Sequence, residues 1–369
     1  MGSAAACHLA ARGHHVIGLE QFTSPHDRGS SHGQTRVIRQ SYFESPAYVP
    51  MLLRAYDLWR ELERATRQDL LHLCGGLMMG TPNSAVVTGS QASAVQHGLP
   101  HEMLDAGEIR RRFPALQPPT DTVALFEQNA GFLLAEASVK AHLDRALDLG
   151  AQLHFEEEVI AWEVDGSGVR VRTRREGYGA DRLIITAGPW TGEVLAALRL
   201  PLEVERQVLY WFQFSNGMEL FQPGRLPIFI LEQADGLLPY GFPAIDGPDG
   251  GVKVALYRAP IHSICTPQTV ERSISDAEIL QMRQIIKNII PSLDGKCLKA
   301  VTCMYTNTPD KNFILDMHPA FPQVSIAAGF SGHGFKFCSV VGEIMADLAE
   351  SGQTRHDLTP FCVARFGIK

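Results

Sequence analysis

The sequence has no apolar run near the roughly 20 residues that a membrane-crossing helix needs. Its N-terminus lacks the charged-then-apolar order of a secretory signal. The seven cysteines are scattered without a C-x-x-C pair, which argues against a disulfide framework and a structural zinc site. Positive charge is not in excess: a formal net charge of -7 leaves no basic stripe for a nucleic-acid backbone. No internal repeat or low-complexity segment is present. Of the 369 residues, 45% are hydrophobic and 20% charged, an ordinary globular composition. These absences predict a soluble intracellular protein without nucleic-acid or membrane partners. The C-terminal Gly367-Ile368-Lys369 is not Ser-Lys-Leu, so the cytoplasm is expected rather than the peroxisome.

An opening strand is also missing. Residues 1–13 read as a helix with nothing before it, and Val16 to Leu19 as a buried strand ending at Glu20. In a dinucleotide-binding unit a strand leads into Gly-x-Gly-x-x-Gly and a helix, with an acidic residue about 20 positions on for the ribose hydroxyls. Gly2 fits the last glycine and Glu20 the acid. Without the first strand and glycines, this pattern fits a flexible start and a solvated strand end equally well. The protein's own start is expected upstream of Met1.

More is legible near the other end. Val324 to Ala328 reads as a strand entering a glycine-rich turn at Gly329 to Gly334, and a helix follows with Phe337, Val340, Val341, Ile344, Met345 and Leu348 at helical spacing. A helix start beyond a strand's carboxyl end is where open α/β sheets bind ligands, and its free amides attract negative charge. Lys336 adds a full positive charge there. A Gly, Ser and His-rich loop from Pro25 leads into Thr35-Arg36-Val37-Ile38-Arg39. If that segment is helical, Arg36 and Arg39 share a face, and arginine forks suit carboxylate or phosphate. Read in isolation they are a pair of surface arginines.

Between these ends, a long helix is expected from about Pro46 to Thr66. Short strands follow at Gly76 to Gly80 and Val123 to Phe126, then a helix at Ala135 to Leu149. The buried strand Arg182 to Ile185 runs into Ala187-Gly188-Pro189-Trp190. From Leu202 to Tyr257 the period approaches two, as in an antiparallel sheet. The predicted fold class is α/β with mixed α+β character: a discontinuous Rossmann-like domain interleaved with an antiparallel-sheet domain, and a cleft between them.

The chain resembles the flavin-dependent amine oxidases typified by monomeric sarcosine oxidase, N-methyltryptophan oxidase and the peroxisomal sarcosine/pipecolate oxidases. The likeness covers nearly the whole sequence. It is carried by G-S-A-A at Gly2, L-E-Q-F at Leu19, P-H-D-R-G-S-S-H-G-Q-T-R-V-I-R at Pro25, I-T-A-G-P-W-T at Ile185, Y-G-F-P at Tyr240, C-M-Y-T-N-T-P-D at Cys303 and G-F-S-G-H-G-F-K at Gly329. The last two are highly specific in combination.

The resemblance implies FAD bonded covalently through the sulfur of Cys303, a residue that read alone is an inert core cysteine. It assigns Arg39 and Lys336 to the substrate carboxylate, Arg36 to the flavin, and His32 and Thr35 to its lining. Lys253 is assigned to oxygen activation, a residue that otherwise reads as an exposed strand lysine. Tyr240 and Tyr257 join the catalytic set, Tyr257 standing where sarcosine oxidase has a histidine four residues past the lysine. Gly2, Glu20, Gln21, Ser31, Val159, Gly188, Trp190, Tyr305, Gly332, His333, Gly334 and Lys336 complete the implied cofactor site, with no metal. The implied domains are 1–73, 130–204 and 298–369 for FAD, and 74–129 with 205–297 for substrate. The implied activity is oxidation of a secondary amino acid, such as sarcosine, another N-methyl amino acid or pipecolate, to an imine. Oxygen becomes hydrogen peroxide, and the protein acts as a monomer. Two other readings stand beside it: a flavin-deficient binding protein of the same fold, and a serine hydrolase using Ser331, whose G-F-S-G-H misses the last glycine of Gly-x-Ser-x-Gly.

Overall fold

The computed structural model describes the chain apart from Asn216, Pro248, residues 258–262 and Lys369. The first helix, Gly2–Ala11, is built of small residues, and this lets it lie close to its neighbours. A Cβ on Gly342 of the last helix, Cys338–Ser351, would come 2.6 Å from Ala4, so the two helices touch backbone to backbone. The following strand, Ile17–Leu19, is one residue shorter than expected and pairs in parallel with Gln152–His154. A second parallel pair joins Leu183–Ile185 to Phe321–Ala328, whose other edge holds Ile314–His318 antiparallel. Parallel strands covered by helices are the α/β half of the molecule.

The long apolar stripe of Val49–Thr66 explains how that half is closed. Leu52, Ala55 and Trp59 are fully buried against Val341, Ile344 and Met345 of the last helix. Trp59 also donates its indole N–H to Lys336 O at 2.9 Å, which ties the stripe to the glycine turn.

The period-two region forms the other half. One large sheet runs Ile264–Cys265, Glu203–Phe212, Val252–Leu256, Pro239–Gly241, Ile228–Leu231, Gly76–Gly80, Val123–Glu127 and Glu102–Asp105, and Cys297–Asn307 also pairs along Glu203–Phe212. All its pairings are antiparallel except Ile228–Leu231 with Gly76–Gly80. Residues alternate between faces along a strand, and cross-strand partners share one. One face, with Tyr210, Phe212, Val252 and Val254, packs on Met282 and Ile286 of helix Asp276–Lys287. The register puts Gln207 with Cys303, Glu205 with Tyr305, Trp211 with Lys253 and Tyr240 with Ala255 on the opposite face. Chemistry-bearing side chains from four strands are thereby collected on one surface.

Among the described residues, no helix is long and apolar enough to cross a membrane.

Candidate active site

Arg36 and Arg39 do not share a helical face. Thr35–Ile38 is a strand, paired with Gly131–Leu134, and Arg39 lies just beyond its end. A short β-branched run between two arginines satisfies strand spacing as well as helix spacing, and the partner strand decided it. The two guanidiniums therefore serve different ends of the site.

Arg36 goes to the cysteine. Its guanidinium donates to Thr35 O at 2.9 Å and Ser30 O at 3.0 Å, and lies 3.8 Å from Cys303 Sγ. Cys303 is buried in strand Cys297–Asn307 beside Leu209, Trp211 and Ala255. Lys253 reaches the same neighbourhood and is buried, unlike the exposed lysine its strand suggested. Its ammonium donates to Gly33 O and Thr35 O, both at 2.6 Å, with Phe242 and Trp211 rings beside it. Burial pulls its pKa well below the usual lysine value, and Arg36 adds to the effect. Two backbone carbonyls are what make a buried ammonium tolerable here.

Those carbonyls are held from behind. Gly33 and Gln34 both take positive φ, and their N–H groups donate to Glu136 at the start of helix Ala135–Asp148. A Cβ on Gly33 would come 2.5 Å from Leu209, so only glycine fits against the sheet face. His32, next in the loop, is buried with its pKa lowered to about 4 by burial and by Arg36. Its Nε2 has no partner among the described residues.

Arg39 goes to the glycine turn. It is buried, donates to Glu44 Oε2 at 2.6 Å and Ser41 O at 2.9 Å, and lies between the Tyr42 and Phe43 rings. Burial pushes the Glu44 carboxyl up, but Arg39, His333 and Lys336 together hold it down at about 2. Lys336 sits in a short turn, Phe335–Phe337, ahead of the last helix rather than in its first turn. Its ammonium donates to His333 O at 2.8 Å and lies 5.2 Å from the same Tyr42 ring. Burial, and next Arg39, lower its pKa to about 7. Arg39 thus pairs directly with Glu44, and Lys336, bonded to His333 O, acts on the same carboxylate through its charge.

His333 turns its ring away from the turn. Nε2 meets Lys311 O at 2.9 Å, which makes it the protonated nitrogen, and Nδ1 takes the Tyr42 hydroxyl. Gly332 approaches Tyr305 so closely that a Cβ would come 2.6 Å from its ring, and Gly334 likewise faces Phe330. Tyr305 and Tyr240 keep some accessible surface, and Tyr257 stands 6.3 Å from both Tyr305 and Phe43. The Tyr257 hydroxyl reaches Glu44 Oε1 at 3.3 Å. This aromatic wall joins the Arg39 end to the Cys303 end.

The remaining expected residues gather around the first helix. A Cβ on Gly2 would come 2.7 Å from Thr186 Oγ1, just before the Gly188 turn. Glu20 stands past its strand and accepts the Phe22 N–H, and Phe22 contacts Trp190 at 5.6 Å. Gln21 and Ser31 are half-buried in the segments after Glu20 and before His32, and Val159 opens the strand Val159–Asp165. Ser331 does not fit a hydrolase: its hydroxyl is committed to main-chain partners, donating to Gly329 O and accepting the Thr308 N–H.

Sequence reasoning missed Glu44, Glu136 and Tyr42. An acid among aromatics five residues past Arg39 was the available signal for Glu44.

The donor set fits a flavin dinucleotide. Gly2 closes a tight helix start, Glu20 ends a strand beside it, an orphaned buried imidazole nitrogen belongs to His32, and a buried thiol lies beside an arginine.

Comparison with known proteins agrees. The FAD dependent oxidoreductase family profile matches residues 1–348. The chain is 53% identical over 362 residues to monomeric sarcosine oxidase of Streptomyces avermitilis, covering 98% of this chain and 94% of that protein. It is 33% identical over 368 residues to N-methyl-L-tryptophan oxidase of Yersinia pestis, covering 99% and 96%. Among solved structures, NikD, an unusual amino acid oxidase essential for nikkomycin biosynthesis, superposes with a TM-score of 0.83 at 24% identity, over 98% of this chain and 94% of that one.

Proposed function

Because this chain belongs to the FAD dependent oxidoreductase family, we propose that it oxidises a secondary α-amino acid, sarcosine or a relative with an N-alkyl or ring nitrogen. Oxygen is the electron acceptor, hydrogen peroxide the by-product, and the protein acts as a monomer. The observation that carries this reading is the pair of buried cations, Arg39 and Lys336, beside the same Tyr42 ring, with Arg39 bonded to the exchangeable carboxylate of Glu44.

A substrate carboxylate offers those cations what Glu44 offers them, in the same planar form. On binding, it takes the Arg39 fork and the Lys336 ammonium, and Glu44 retreats toward the Tyr257 hydroxyl. The carboxylate anchored at that end directs the nitrogen and its alkyl group along the wall of Tyr240, Tyr257 and Tyr305. Positioning of this kind supplies much of a rate enhancement. The aromatic rings exclude water from the C–H bond to be broken.

FAD, when bound, supplies the two-electron acceptor for that bond. Gly2, Glu20, Gln21, Val159, Gly188 and Trp190 would hold its dinucleotide part, and Ser31, His32, Thr35, Arg36, Tyr305 and the Gly332–Gly334 turn its ring. Cys303 would bond it through sulfur. A sulfur nucleophile reacts as the anion, and Arg36 puts positive charge 3.8 Å away. Lys253, pinned to the Gly33 and Thr35 carbonyls, presents a fixed positive group to oxygen as it gains negative charge.

The purified holoprotein tests this directly. Yellow colour should stay on the polypeptide after acid precipitation and leave it in Cys303→Ser. Sarcosine, pipecolate and N-methyltryptophan, offered separately, should release peroxide from at least one. A coloured protein that makes peroxide from none of the three would sink the substrate assignment.

A further inference from the structure

Glu127 has no role in the mechanism above, yet it is the last residue of strand Val123–Glu127 and wholly buried. Its Oε1 accepts the Gln40 N–H and its Oε2 the Ser41 N–H, both at 2.7 Å. Main-chain amides only donate, so both oxygens act as acceptors, an arrangement that favours the carboxylate. Burial pushes its pKa up, against the pull of the Ser41 and Gln40 amides. Those two hydrogen bonds offset the cost of burying the carboxyl, and both are spent on one peptide stretch.

That stretch directly follows Arg39. Ser41 supplies the carbonyl that holds one guanidinium nitrogen at 2.9 Å, and Glu44 holds another at 2.6 Å. The Glu44 contact joins two side chains and can be exchanged. The Ser41 contact moves only if the backbone moves, and Glu127 ties that backbone to the large sheet.

We propose that Glu127 is a positioning residue for carboxylate recognition: it fixes the Gln40–Ser41 backbone so that Arg39 keeps its aim when Glu44 gives way to the substrate. The inference rests on the reading that Arg39 and Lys336 bind the substrate carboxylate.

The test uses wild-type, Glu127→Gln and Arg39→Ala holoproteins. Methoxyacetate, an ether counterpart of an N-methyl amino acid with no nitrogen to oxidise, is titrated against the flavin's visible absorption, with methoxyacetamide as the uncharged control. Glu127→Gln should bind methoxyacetate roughly tenfold more weakly, as expected when one buried amide loses its acceptor. Its flavin content and its affinity for methoxyacetamide should match the wild type. If Glu127→Gln binds the acid normally while Arg39→Ala does not, Glu127 has no such role and the clamp stands. If Arg39→Ala binds the acid normally, the clamp itself falls and this proposal with it. Equal loss of acid and amide in Glu127→Gln would mark general damage and also overturn the proposal. Should that variant be insoluble, hydrogen exchange in the wild type decides: the Gln40 and Ser41 amides should exchange slowly with and without methoxyacetate, and fast exchange there overturns the idea.

Discussion

The Arg39 corner and the Lys253 corner each bury a cation, but they satisfy it differently. Lys253 is held by the main-chain oxygens of Gly33 and Thr35, which cannot leave without unfolding the loop that Glu136 supports. Arg39 has one main-chain partner, Ser41 O, but its charge is paired with a side-chain carboxylate, which can rotate away. Removing one partner of a buried pair costs about 3–5 kcal/mol, so Glu44 departs only when another anion replaces it. The first arrangement suits a charge that must stay in place, and the second suits a charge that changes partners. A fixed corner and an exchangeable corner, joined by an aromatic wall, are what a cofactor end and a substrate end require.

The comparison breaks most visibly at the fixed corner. Lys253→Met should slow the reaction with oxygen roughly a hundredfold to a thousandfold, the usual loss when one preorganised donor is removed. Stopped-flow reduction of the flavin by substrate should be nearly unchanged; equal losses in both half-reactions would mean that Lys253 serves structure instead. At the exchangeable corner, Arg39→Ala should raise KM roughly thirtyfold or more, the scale for truncating one side of a buried charge pair. Flavin content should be spared there. Arg39→Lys should not restore the wild-type KM, because a single ammonium cannot replace the planar fork. An unchanged KM in Arg39→Ala would remove that residue from substrate binding.

Much of the fixed corner was legible in the sequence, and much of the exchangeable corner was not. Cys303 lies in a motif whose residue types are unusual in combination with the glycine turn of the other corner, and the period-two pattern predicted the sheet that holds Lys253 beside it. The burial of Lys253 was hidden, because in Val252–Leu256 it alternates with apolar residues as an exposed lysine would. Glu44, Glu127 and Glu136 were hidden for a related reason. An isolated glutamate reads as solvated surface, and only the tertiary fold brings these three onto one short segment, at Arg39, at Gln40 and Ser41, and at Gly33 and Gln34. The strand at Thr35–Ile38 was ambiguous until Gly131–Leu134 paired with it.

Lys336 stands between the two corners, with a main-chain partner in His333 O and an exchangeable neighbour in Glu44, and pH separates its two roles. Its pKa is lowered to about 7, by burial first and by Arg39 next. In the free protein the charge is therefore present below that pH and fades above it. A bound carboxylate favours the charged form and raises the pKa, so binding above pH 7 must take up a proton. The affinity for methoxyacetate, which does not itself titrate between pH 7 and 9, should fall with rising pH by up to about tenfold per unit. Lys336→Met should bind more weakly at pH 6.5 and lose the slope. A slope that survives in Lys336→Met would assign the titration to another group and leave Lys336 with its main-chain role alone.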